Sequence, residues 1–160
     1  MAKLLKVVKL LGISVLCLSL LVGCSSNDKT TVAKFSVKNE KVDQTVEIVM
    51  KHDDESVKTQ KQEGVMKFND NTSYQTFLSQ VKLQGYDAVA KDYKGIDYNL
   101  TSDDATFTIK ESITLDFGKL SAEGYKKMTN GAVNVSDPYR IDVESTIKNL
   151  KAQGYTITEE

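Results

Sequence analysis

The side chains able to do acid, base or metal chemistry are few and fall in a handful of places. His52-Asp53-Asp54-Glu55 sets the chain's one histidine beside three carboxylates, a composition that could in principle hold a cation. Consecutive residues in a turn cannot all aim at one ion, and oxygen-rich calcium loops space their ligands alternately around a glycine that is missing here. The run is therefore expected to be a solvated hairpin turn, with no metal site. Asp103-Asp104 reads as a second turn of the same kind. Glu111 interrupts the apolar face of a strand and leaves two outcomes open. It is either an inward carboxylate with a raised pKa and a functional role, or the mark of a local bulge that leaves the acid in water, which is the expected outcome. With a lone histidine most nucleophile–base triads are foreclosed, and there is no glycine-rich phosphate loop. No catalytic residue and no cofactor is assigned, and the chain is not expected to be an enzyme.

The remaining reactive groups are two thiols, Cys17 inside an apolar run and Cys24 at its end. Met1 to Lys9 carries three lysines, and Leu10 to Val22 is apolar, the pattern of an export signal. As a helix those thirteen residues would rise about 20 Å against a hydrocarbon core of about 30 Å, so length argues against an uncleaved spanning anchor. Leu21-Val22-Gly23-Cys24 resembles the lipobox of bacterial lipoproteins. The resemblance implies that the Cys24 thiol takes a diacylglyceryl group, that the leader is cut between Gly23 and Cys24, and that fatty acyl chains such as palmitate then hold the protein on a membrane. Gly23 suits that cut because a residue without a side chain lets a protease reach the backbone. Two or more acyl chains anchor stably where one binds marginally. Expected boundaries are a signal peptide over 1–23, a lipidated cysteine and polar tether over 24–31, and one domain over 32–160. The expected partner is the membrane, through Cys24, with the domain exported to the extracytoplasmic side.

Removing the leader changes the charge balance. No acid precedes Cys24, so the mature part holds 18 basic against 22 acidic side chains, a formal charge of −4. A mildly acidic domain without an arginine cluster lacks the footprint that nucleic acid requires. At most one thiol remains after cleavage, so no internal disulfide forms and the domain must be held by its own core.

Alternating apolar and polar residues predict strands at 33–37 and 46–51, and a third over 57–68, whose polar middle suggests exposure. Tyr74, Phe77, Leu78 and Val81 make one helical stripe, capped by Asn71, Thr72 or Ser73 and ended by Gly85. Residues 86–94 read equally as a short helix or an irregular passage. Strands resume at 96–101 and run clearest over 106–117. A weaker helix follows at 120–128, with Gly124 lowering its quality. Asp142 caps the last helix, Gly154 closes it, and a short strand spans 155–158. The helix ends Val81-Lys82-Leu83-Gln84-Gly85-Tyr86 and Leu150-Lys151-Ala152-Gln153-Gly154-Tyr155 match because both stop on a glycine cap. The order of elements predicts an α+β fold: an antiparallel sheet of five to six strands with two to three helices on one face.

The lipobox ending at Cys24, the strand pair around Asp103, the run Phe107-Thr108-Ile109 to Ile113-Thr114-Leu115-Asp116, and the terminal Lys151-Ala152-Gln153-Gly154-Tyr155 together resemble the YehR-like family of small bacterial lipoproteins. The resemblance covers nearly the whole chain and implies an α+β lipoprotein fold, with no catalytic residue to carry over. The expected function is a non-catalytic binding or interaction domain, served by some of the seven tyrosines or the threonine-rich outer face of the 106–117 strand. Two other classes stand beside it: an enzyme of unrecognised class using Glu111 or Asp53 to Glu55, and a precursor whose leader fragment, Cys17 to Gly23, is itself a secreted peptide signal.

Overall fold

A computed structural model describes residues 29–159. The expected cut and lipidation at Gly23 and Cys24 lie outside those residues. Six strands, β1 (Lys29–Lys38), β2 (Val42–His52), β3 (Val57–Phe68), β4 (Ile96–Asp103), β5 (Thr108–Asp116) and β6 (Thr156–Glu159), form one antiparallel sheet in the order β4-β5-β3-β2-β1-β6. Among the described residues there are four helical segments: α1 (Asn71–Leu83), α2 (Tyr86–Asp92), α3 (Ala122–Met128) and α4 (Val143–Ala152). The α+β fold follows the sequence pattern, and the stretch that the pattern left undecided is α2. β1 begins at Lys29, inside the stretch expected to be tether, and Thr31 is already fully buried.

β1, β2 and β3 run as two hairpins. Asn39 closes the first by accepting the backbone N–H groups of Lys41 and Val42 on its side-chain oxygen, at 2.9 and 3.1 Å. The chain then crosses through α1 and α2 to the far edge, lays down β4, and inserts β5 between β4 and β3. From β5 it returns through α3 and α4 to the opposite edge, where β6 pairs with β1. The helices cover one face of the sheet, because the inward residues of the strands and one stripe of each helix share a single core. Tyr74, Phe77, Leu78 and Val81 of α1 are buried in it together with Met66 of β3 and Ile109 of β5. An aromatic group ties α1 to the strand ends: Phe68 lies 5.5 Å from Phe77 and 6.3 Å from Tyr74, and Tyr74 lies 5.8 Å from Phe107. Contacts of this kind add about 1 kcal/mol each beyond the area they bury.

Several local expectations are corrected. The α1 cap is Asp70, whose carboxylate accepts the Ser73 N–H at 2.8 Å; aspartate at this position also places negative charge at the helix's positive end. The clearest strand starts at Thr108, because Phe107 takes φ +51 in the turn before it. β3, expected to be exposed, is central. Its Gln60 and Gln62 point inward and are 4 % and 3 % exposed, while the charges Lys61 and Glu63 face out. Asp142 caps α4 as expected, accepting the Ser145 N–H at 2.7 Å.

The two matching helix ends do share a cap. Gly85 and Gly154 have φ of +70 and +92, and each donates its N–H to the carbonyl of the lysine three residues before it. Tyr86 and Tyr155 are both buried. The continuations differ, since Tyr86 opens α2 whereas Tyr155 leads into β6.

Gly124, read from sequence as a weakness in α3, has a packing reason. A Cβ there would lie 2.8 Å from Leu120 Cδ1 and 2.9 Å from the Tyr93 ring. Glycine lets α3 settle against the residue that ends α2. Gly124→Ala is accordingly expected to lower stability by about 1 kcal/mol, even though alanine is the better helix former by a similar amount. Chemical denaturation checks this, and a stabilised variant would show that the ring yields freely.

Candidate functional site

The residues of the His52–Glu55 run are sent in four directions. His52, expected in a solvated turn, is 5 % exposed because it sits on the inward face of β2. Its Nδ1 donates to the Asp53 carbonyl oxygen at 2.6 Å, and its Nε2 pairs with the Thr31 hydroxyl at 2.8 Å. Asp53 organises the turn itself, accepting the N–H groups of Glu55 and Ser56 at 2.9 and 2.7 Å. Partial burial pushes its pKa up, but those backbone donors and nearby Lys58 outweigh that and hold it below the usual carboxylate value. Asp54 pairs with Lys29, and Glu55 with Arg140 at 3.8 Å. Among the described residues no three His, Cys, Asp or Glu side chains are placed to hold a metal ion.

Asp103 and Asp104 also part company. Asp103 accepts the Ala105 N–H and the Thr106 hydroxyl within the β4–β5 turn, while Asp104 accepts the Tyr74 hydroxyl at 2.5 Å and so links the turn to α1.

Glu111 does not sit at a bulge. The pairing of β5 with β3 runs unbroken from Thr59↔Asp116 to Lys67↔Thr108, so the side chain follows the alternation and turns inward, where it is 6 % exposed. It is bracketed on the core face by Gly64 of β3 and Leu100 of β4. Burial pushes its pKa up to about 7, opposed by the Tyr98 hydroxyl, which donates to Oε1 at 3.0 Å. Tyr98 lies edge-on to Tyr86 at 5.7 Å, and Asn130 donates from Nδ2 to the Tyr86 hydroxyl at 3.2 Å. Burial and the nearness of Glu111 raise the pKa of both tyrosines. On β2 the inward Gln44 is fully buried, and neither atom of its amide has a hydrogen-bond partner among the described residues. The inward face of the sheet thus carries buried polar side chains at Gln44, Gln60, Gln62 and Glu111. The period-two pattern of Val42, Gln44, Val46, Ile48 and Met50 already placed Gln44 on the apolar side, and that was the signal available to find it.

Among the described residues no helix lies over the opposite face of the sheet. Near the β6 edge it holds a cleft of about 560 Å³ lined by Lys34, Ser36, Thr45, Glu47, Glu63 and Val65, together with Gly154 and Thr156. The register explains the set: Lys34 pairs with both Glu47 and Thr156, Glu47 with Glu63, Ser36 with Thr45, and Thr45 with Val65. Lys34 bonds Glu47 at 3.0 Å and Lys61 bonds Glu63 at 2.7 Å. Val65, 38 % exposed, gives the cleft an apolar spot. Such a surface offers hydroxyls and already paired charges, which suits holding a ligand by hydrogen bonds. Sequence alternation outlines this face, but not the approach of Gly154 and Thr156, which comes from the far end of the chain. The threonine-rich outer side of β5 belongs to the same face. Of the seven tyrosines, Tyr74, Tyr86, Tyr125 and Tyr155 are buried and Tyr93, Tyr98 and Tyr139 are half-buried, so none forms an exposed platform.

The architecture is a known one, an α+β fold of the YehR type. The chain is similar to the NMR structure of the YehR protein of E. coli, with a TM-score of 0.53 and 22 % identity over 83 % of this chain and 94 % of that one. It is similar as well to the NMR structure of a protein from Streptococcus pneumoniae TIGR4, with a TM-score of 0.52 and 12 % identity over 89 % of this chain and 92 % of that one. No protein-family model and no curated protein sequence matches the chain. No helix among the described residues is long and apolar enough to cross a membrane.

Proposed function

We propose that this chain is an exported lipoprotein of the YehR-like kind, held on the extracytoplasmic side of a bacterial membrane by acyl chains on Cys24. Its folded part is a non-catalytic binding or interaction domain. The leader and its Leu21-Val22-Gly23-Cys24 ending support the anchor, and the YehR-type fold is consistent with it. The observation that carries the binding role is the sheet face that no described helix covers, with its cleft of about 560 Å³, a size that suits a small molecule or a short stretch of a polymer.

Cys24→Ser is expected to abolish labelling by a fatty-acid analogue and to block the cut, so that the leader stays attached, without changing the folded domain. A native protein that takes up no such label would end the anchor reading. For the binding role, the intact lipoprotein captured from its envelope should bring down a partner or ligand that Val65→Arg releases. Turnover of a substrate with no retained ligand would overturn that role.

The buried Glu111 keeps a second reading in view. A carboxyl group whose pKa is raised to about 7 and which is joined to Tyr98 has the properties of a general acid or base. Loss of a measured activity in a Glu111→Gln variant that remains folded would establish that reading.

A further inference from the structure

The short separation of Lys29 in β1 from Cys24 sets which end of the domain lies near the lipid, given the Cys24 anchor proposed above. Lys29 is the first residue of β1 and pairs across the sheet with His52 at the end of β2. Only four residues separate it from Cys24. The five steps between them reach no more than about 18 Å even when fully drawn out. That end of the sheet also gathers the β2–β3 turn, the end of β5 at Asp116, and the end of β6, where Glu159 pairs with Thr31. β1 then runs ten residues to Lys38, which carries the opposite end about 30 Å farther off. The β1–β2 turn at Asn39–Lys41 and the β4–β5 turn at Asp104–Phe107 lie there.

Charge at the near end is largely self-matched. Lys29 pairs with Asp54, Lys58 with Asp53 at 3.6 Å, Lys119 with Asp116 at 2.6 Å, and Arg140 with Glu55 at 3.8 Å. Bases neutralised in this way add little to binding of anionic lipid, which depends on clustered unmatched lysine and arginine. The short tether, not electrostatic attraction, keeps this end at the surface.

We infer that the domain stands on the lipid headgroup layer through its His52–Glu55 turn, with the strands leading away from the bilayer and the Asn39–Lys41 and Asp104–Phe107 turns presented outward. The inference rests on the anchor at Cys24.

The test uses the full-length lipoprotein with its native acyl chains, in vesicles of phosphatidylethanolamine and phosphatidylglycerol. The residues from 25 onward contain no cysteine, so one introduced thiol can carry a fluorophore. Lys51→Cys and Thr158→Cys mark the near end; Glu40→Cys and Ala105→Cys mark the far end. All four sites are exposed, and two at each end guard against a misfolded variant. A quencher attached to lipid headgroups should dim the near-end probes several-fold more than the far-end ones. Equal or reversed quenching in vesicle-bound protein overturns the orientation while leaving the anchor intact. Protein that fails to float with the vesicles overturns the anchor, and the orientation falls with it.

Discussion

Gly95→Ala is expected to destabilise the domain by about 3 kcal/mol. Gly95 precedes β4 with φ +83, a conformation that costs a side-chain-bearing residue about 1–2 kcal/mol. Sterics add to this. A Cβ would lie 2.7 Å from the Asp116 carbonyl oxygen and 2.8 Å from the Leu120 backbone nitrogen. Both are main-chain atoms of the turn that follows β5, so neither can rotate aside as a side chain would. Gly95 also receives the Asp116 N–H on its carbonyl at 2.8 Å, and any shift that relieves the clash strains that bond. Gly85→Ala provides the comparison, since φ is +70 but nothing lies within 4 Å of the added carbon. Backbone strain alone should then cost about 1 kcal/mol. Denaturation midpoints at constant slope separate the two cases. Equal losses would mean that the Asp116–Leu120 turn moves away without resistance.

Glu111→Gln is expected to remove a pH dependence of stability on the order of 3 kcal/mol. The acid's pKa is raised from an ordinary 4.5 to about 7 in the folded protein, chiefly by burial. Since 1.36 kcal/mol accompanies each unit, the unfolded chain gains about 3 kcal/mol relative to the folded one by ionising first. The sign follows from which state holds the proton. Below about pH 4.5 both states are protonated and the folded form bears no penalty. Between about pH 4.5 and 7 the unfolded state loses its proton and the folded state keeps it, so stability falls as pH rises; above about 7 the loss is complete. Glutamine keeps an oxygen that can accept the Tyr98 hydroxyl but has no proton to lose. The variant should therefore gain on the native protein as pH is raised from about 4 to 8. A constant difference across that range would show that Glu111 titrates as an exposed acid. Tyr98→Phe should push the Glu111 pKa higher still, because that hydroxyl is what favours its charged form.

Much of the local structure was written into short stretches of sequence. Period-two alternation identified β1, β2 and β5 and the face each would bury, because successive side chains on a strand must point to opposite sides. It placed Glu111 inward with Ile109 and Ile113. The expectation of a bulge set that simple reading aside, on the ground that an isolated buried acid is costly. In the fold the cost is met by partial neutralisation near pH 7 and by the Tyr98 hydroxyl, which alternation within β5 could not reveal. The helix caps were similarly legible. Asp142 was found directly, and the Asp70 cap was missed by one residue because Asn71, Thr72 and Ser73 all offered plausible oxygens beside it.

The amino-acid order alone determined the sequence of elements and the apolar side of β1, β2 and β5. Those are properties of adjacent residues, set by side-chain period and capping chemistry. Tertiary structure decided which strands became neighbours. β3, with its polar Gln60 and Gln62, became central only because β5 returned between β4 and β3. The cleft formed only because β6 came back to β1, carrying Gly154 and Thr156 beside Lys34. Glycine caps of one design even led to different continuations, a helix after Gly85 and a strand after Gly154. A cap satisfies the last turn's carbonyls and nothing farther away, so the direction taken next was settled by the surfaces left for Tyr86 and Tyr155 to bury against.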